Sequence, residues 1–224
     1  MPIERLFTQD ERPLTSMAHA GIALCRVDPS QRHIGLLHRE DGSGDVMLLH
    51  LAWHHDLRNQ SPGRHYLWVD VPIPGPRLRQ VAAICRNLWR SNRNVVPYAF
   101  SPPSDCFDAL TGQFLLGPTR HGLTCATFVL AVFEAAGLPW VQYATWPDRG
   151  AEDRQWQELV IRLLKDGSPA ASAEHIAAVS SEIGAVRFRP EEVAGAATLS
   201  DIPVAFPAAK QLGELVLEKL ADNA

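Results

Sequence analysis

Long apolar runs are missing from this 224-residue chain. No stretch approaches the ~18 uninterrupted apolar residues of a membrane-spanning helix, so no transmembrane segment is expected. A C-x-x-C pair is missing too. The four cysteines, Cys25, Cys85, Cys106 and Cys125, lie far apart, which predicts free thiols rather than a disulfide framework or a zinc-binding thiolate cluster. Positive charge is not in excess: the formal net charge is -4, which excludes the basic face of a typical nucleic-acid binder. The opening "MPIERLFTQDERPL" has no continuous apolar core of the kind a cleavable secretory signal carries. A cytoplasmic location, or export without a cleaved signal, is therefore expected. Internal repeats and low-complexity tracts are absent as well.

What is present is ordinary globular material, 46% hydrophobic and 21% charged. Residues 1–16 read as a polar lead-in. Four strands are predicted over "HAGIALCRV" (19–27), "RHIGLLHR" (32–39), "DVMLLHLAW" (45–53) and "YLWVDVPI" (66–73). The turn "EDGSGD" joins the second to the third as a hairpin, and "HHDLRNQSPGRH" reads as a polar loop. Residues 77–91 form an amphipathic helix, with Leu78, Val81, Ala82, Cys85, Leu88 and Trp89 on one stripe and Pro76 suited to its first turn. A Pro-rich connection, "NVVPYAFSPPSDCFDALTGQ", is long enough to shape a site. Further helices are expected from Cys125 onward, over 153–165, 173–183 and 207–221. Strands first and helices later predict an α+β fold in one domain, with residues 150–224 as a helical C-terminal elaboration.

The stretch "TRHGLTCATFVLAVFEAAGLP" places Cys125 at the start of a helix, because Phe128, Val129, Val132 and Phe133 follow at helical spacing. Thr124 is the expected N-cap. A thiol in the first turn of a helix faces unpaired backbone N–H groups and the positive end of the helix dipole, which favour thiolate. The same N–H groups can hold an oxyanion. Such a nucleophile needs a base, and the base needs an orienting partner. His33 opens one strand of the hairpin and His50 ends the apolar part of its partner, so the two imidazoles are expected near one end of the sheet.

"RHIGLLHREDGSGDVMLLHLAW" resembles the histidine-bearing hairpin of lecithin:retinol acyltransferase-like proteins and of bacterial YaeF/YiiX-type proteins, in which "RHWA(I/L)YxG" leads to "VVHLAP". "LTCATFVLAVFEAAG" resembles their "NCEHFVxxLRYG" segment and the "DCSGFVxxVxxxxG" helix of NlpC-type peptidases. The hairpin precedes the cysteine, which is the circularly permuted order of the papain-like fold. The resemblance covers roughly residues 18–140. It implies an antiparallel sheet packed on a central cysteine-bearing helix, with Cys125 as nucleophile, His33 as general base and His50 as orienting residue. Two departures stand out: a longer turn between the histidines, and Ala126 after Cys125 where an acid or serine is usual. No metal or organic cofactor is implied.

Within this resemblance two chemistries are open: hydrolysis of an amide or peptide bond, such as a cell-wall peptide, and acyl transfer or ester cleavage on a lipid. The polar C-terminal segment favours the first. A binding module that keeps the fold without the chemistry is the rival of a different class. His121, Thr124 and Trp53 are candidate substrate contacts, and His54 and His55 are alternatives to His50. The run His50, His54, His55, Asp56 lacks recognised metal-ligand spacing. Cys25 and Cys85 fit core positions, whereas Cys106, in the Pro-rich loop, is a possible second thiol.

Overall fold

A computed structural model describes residues 2–40, 44–117, 122–167 and 170–223. Among the described residues six strands are found: β1 (Leu6–Phe7), β2 (Ala20–Arg26), β3 (Arg32–Arg39), β4 (Val46–Trp53), β5 (Asp56–Gln60) and β6 (Leu67–Val69). They form one antiparallel sheet in the order β1-β6-β2-β3-β4-β5. Six α-helices accompany it among the described residues: α1 (Gly75–Ser91), α2 (Cys125–Ala135), α3 (Ala151–Asp166), α4 (Ala173–Ser181), α5 (Pro190–Ala196) and α6 (Phe206–Asp222). The α+β class expected from the order of elements is therefore the observed one. Among the described residues no helix is long and apolar enough to cross a membrane.

Alternation along the strands gives the sheet two apolar faces. Ile22, Leu24, Ile34, Leu36, Leu49 and Leu51 join the large core that α1 and α2 complete. Ala23, Cys25, Leu37 and Leu48 turn the other way, into a smaller core with Tyr66 and Trp68 that Met17 and Leu14 close from the N-terminal segment. Helix α2 is buried on every side from Cys125 to Phe133. Such a helix must sit in the middle of a molecule. Burying each of its large apolar side chains contributes roughly 1.5–3 kcal/mol.

Four local expectations change. Residues 1–16 are more than a lead-in, because β1 pairs with β6 and Leu6 is fully buried. The polar loop after Trp53 contains β5, whose polar residues are tolerated because it is an edge strand with one buried side chain, Leu57. The strand expected over 66–73 shrinks to Leu67–Val69, as the prolines at 72 and 74 cannot extend a ladder. Helix α5 was not expected: "PEEVAGA" is too short to display a period. Only its packing explains it. A Cβ on Gly195 would stand 2.7 Å from the Gly213 nitrogen, so α5 and α6 touch backbone to backbone where glycines allow it.

Candidate active site

Helix α2 begins at Cys125 because Thr124 caps it. The Thr124 hydroxyl accepts from the Thr127 amide at 3.1 Å, and the Thr127 hydroxyl accepts from the Thr124 amide at 2.8 Å. This reciprocal cap uses the third amide of the helix and leaves the Cys125 and Ala126 N–H groups for other work. Thr124 also lines the cavity described below, although its side chain is committed to the cap.

The β3–β4 hairpin brings His33 and His50 together. His33 Nε2 and His50 Nδ1 lie 2.7 Å apart, and the rings meet edge to face with centroids 4.7 Å apart. Gly35 makes this possible. A Cβ there would lie 2.7 Å from the His50 Cβ and 3.0 Å from the Leu49 carbonyl oxygen. Register pairs Cys25 with His33 and Leu37 with Leu48, so both imidazoles stand on the sheet face of the smaller core. Ile34, between them, turns toward α2.

The thiol approaches this hairpin from the helix side. Backbone N–H groups of Ile34, one residue beyond His33, and of Ala126 act on the Cys125 sulfur. No hydrogen bond joins the His33 ring to that sulfur among the described residues. β3 and β4 pair only from Leu36 to Arg39 and from Val46 to Leu49, so a thiol on the α2 face can meet imidazoles on the opposite face only where the strands part beyond Leu36.

Electrostatics differ from the thiolate expected for the first turn of a helix. Burial pushes the Cys125 thiol up to about 11, more than its amide neighbours and the Arg187 charge pull it down. Burial first, then repulsion from His50 and Arg58, brings His33 down to about 3. Burial and the Arg58 charge bring His50 to about 4. The resting site is a neutral thiol beside neutral imidazoles.

A consequence for stability follows from the two histidines. Both bind protons more weakly folded than unfolded, so acid favours the unfolded chain. Stability is complete above the ordinary histidine value of 6.5 and falls as pH drops toward 4 and 3. Each should add a slope of about 1.4 kcal/mol per pH unit within that window. Urea titrations of the wild type and of His50→Gln between pH 4 and 7 should show the variant losing stability less steeply.

Cys125 opens onto a cavity of about 280 Å³, which Trp53, Tyr98, Trp156 and Arg187 also line. Trp53, one of the expected contacts, stacks on Tyr98 with centroids 4.7 Å apart. Tyr98 was not legible in the sequence, because nothing in "NVVPYAF" marks it. Tertiary contacts place it: residues 97 and 99 exchange backbone hydrogen bonds with Leu123, just before the helix. The Tyr98 N–H donates to His54 Nδ1 at 3.2 Å, and its carbonyl accepts from His175 Nε2 at 2.9 Å. Its buried hydroxyl oxygen faces the Cys125 amide.

The remaining expected residues are placed elsewhere. His121 lies outside the described residues. His54 and His55 hold the 95–98 segment rather than His33; His55 Nδ1 donates to the Val95 carbonyl at 3.0 Å. Asp56 is gripped by Arg58 at 2.6 and 3.0 Å. Among the described residues no group of three or more His, Cys, Asp or Glu side chains is arranged to hold a metal ion. Cys25, Cys85 and Cys106 are free and buried, and burial pushes Cys85 and Cys106 up to about 12.

No protein-family model, no curated protein and no solved structure matches this chain. The site's chemistry thus rests on its own geometry.

Proposed function

We propose that the chain is a thiol hydrolase of permuted papain-like architecture, acting on an amide, peptide or ester carbonyl through Cys125, His33 and His50. The observation that carries this reading is the His33–His50 contact of 2.7 Å, beside a capped helix start whose cysteine opens on a cavity. Two histidines buried nose to nose are costly unless one fixes the tautomer of the other.

In the working tautomer His33 Nε2–H donates to His50 Nδ1, which leaves His33 Nδ1 free to accept a proton. His50 then carries its own proton on Nε2, a buried atom without a partner. Leaving that donor unpaired costs about 1–3 kcal/mol. The thiol proton passes to His33 as sulfur attacks the carbonyl carbon. The developing oxyanion is met by the Cys125 N–H and the Tyr98 hydroxyl. His33 returns the proton to the leaving amine or alcohol, and water then cleaves the thioester by the reverse sequence. Acyl transfer differs only in the second acceptor.

One alternative has an observation of its own. A thiol raised to about 11 and imidazoles lowered to about 3 and 4, with no hydrogen bond from His33 to sulfur, suit a binding module that retains the fold without turnover.

Alkylation by iodoacetamide separates the two readings. In both, the rate for the free protein should climb with pH toward 11, without the acid plateau of a preformed ion pair. An active site adds a fast phase of aryl-ester acylation at Cys125 that His33→Ala removes. A binding module shows no such phase in either protein, and that result would remove the hydrolase reading.

A further inference from the structure

The cavity beside Cys125 carries cations that the hydrolytic steps do not use. Arg32, at the start of β3, and Arg187 and Arg189, before α5, line it together. Arg32 donates from Nη1 to the Pro29 carbonyl at 3.1 Å, and its Nε is buried without a partner. No ion pair engages it among the described residues. Arg187 lies flat on Trp156, with its guanidinium carbon 3.9 Å from the ring centroid. Its nearest carboxylate oxygen, on Asp153, is 3.5 Å away.

The neighbouring acids are shared among several arginines. Asp153 is shared among Arg149, Arg187 and Arg189. Glu192 is bound by Arg149 and Trp146. Glu152 and Glu191 also line the cavity; the Glu152 side chain is 68% exposed and held by Arg189 at 3.0 Å, and the Glu191 charge falls on Arg187. On the wall nearest the thiol the charge is positive, since Arg187 acts on the Cys125 sulfur. Arg32 has no ion pair among the described residues and a buried Nε without a partner, and a bound carboxylate or phosphate would meet it through paired, charge-assisted hydrogen bonds.

We propose that the Cys125 cavity takes an acyl compound bearing an anionic group, a carboxylate or a phosphate, near its scissile carbonyl, with Arg32 and Arg187 as the anion's partners. This rests on the hydrolase reading for the word scissile alone; the anion preference concerns binding and stands without turnover. Trp53 and Trp156 supply the apolar wall for the rest of the acyl chain.

The test is titration calorimetry with Cys125→Ala, which cannot turn over. The ligands are N-acetylalanine, its uncharged amide and acetyl phosphate. The carboxylate should bind at least about tenfold more tightly than the amide, and Arg32→Gln in the same background should remove that preference. Acetyl phosphate tighter than the carboxylate assigns the site to phosphate. Equal affinity for acid and amide, no heat from either anion, or a preference that survives Arg32→Gln would overturn the proposal. Failure of hydrolysis alone would show differently: anion binding intact in Cys125→Ala, and no ester acylation in the wild type.

Discussion

Cys125→Ala is expected to abolish turnover of an activated aryl ester, and His33→Ala to lower kcat/KM by about 10⁴-fold. The size of the effect comes from interdependence. Because the thiol rests protonated, pushed up to about 11, the proposed mechanism requires attack as its proton leaves, and His33 adjoins the strand amide that faces the sulfur. Removing either partner removes the same step, so the double variant should be no slower than Cys125→Ala. His50→Gln should be milder, because its amide oxygen can still accept from His33 Nε2–H. Stopped-flow acylation with the three single variants checks the order. A His33→Ala enzyme within tenfold of wild type would remove His33 from the mechanism.

Gly35→Ala should damage the β3–β4 hairpin at the point where the two histidines meet. Its Cβ would stand 2.7 Å from the His50 Cβ and 2.8 Å from a Leu48 methyl, with the Leu49 carbonyl oxygen at 3.0 Å. Two of these atoms lie at the base of a side chain or on the backbone, so rotamer changes cannot clear them. The β3 and β4 strands must separate instead, at the point where His33 meets His50. Overpacking of this kind costs about 3 kcal/mol. For a chain of this length that lowers the melting temperature by about 10 °C. Calorimetric melting measures it, and acylation should fall as well, because the His33–His50 contact opens with the strands. A melting temperature within 2 °C of wild type would show that the hairpin yields more easily than its packing implies.

Periodicity carried much of the frame. "RHIGLLHR" became β3 within its expected bounds, and "CATFVLAVFEA" became α2 with Thr124 as its cap, because alternation and helical spacing are local properties of the chain. The pairing of β3 with β4 brought His33 and His50 together, since a one-residue slip would turn one imidazole to the other face; residues 41–43 of the expected turn lie outside the described residues. β5 and α5 were not legible, as one is a polar edge and the other a helix of about two turns that packs on α6.

The sequence by itself determined the strongly periodic elements and the residue types at their ends: a cysteine opening a buried helix, and two histidines on one hairpin. Only the tertiary structure decided what those residues are. Burial, which depends on everything packed around them, turned an expected thiolate into a thiol and kept both imidazoles neutral. Contacts between segments far apart in the chain set Tyr98 at the start of α2 and Arg32 in the cavity that Arg187 and Arg189 share, the residues proposed for the oxyanion and the anion. Spacing along a chain records which residues share a face. Desolvation and charge at a site are sums over the whole fold.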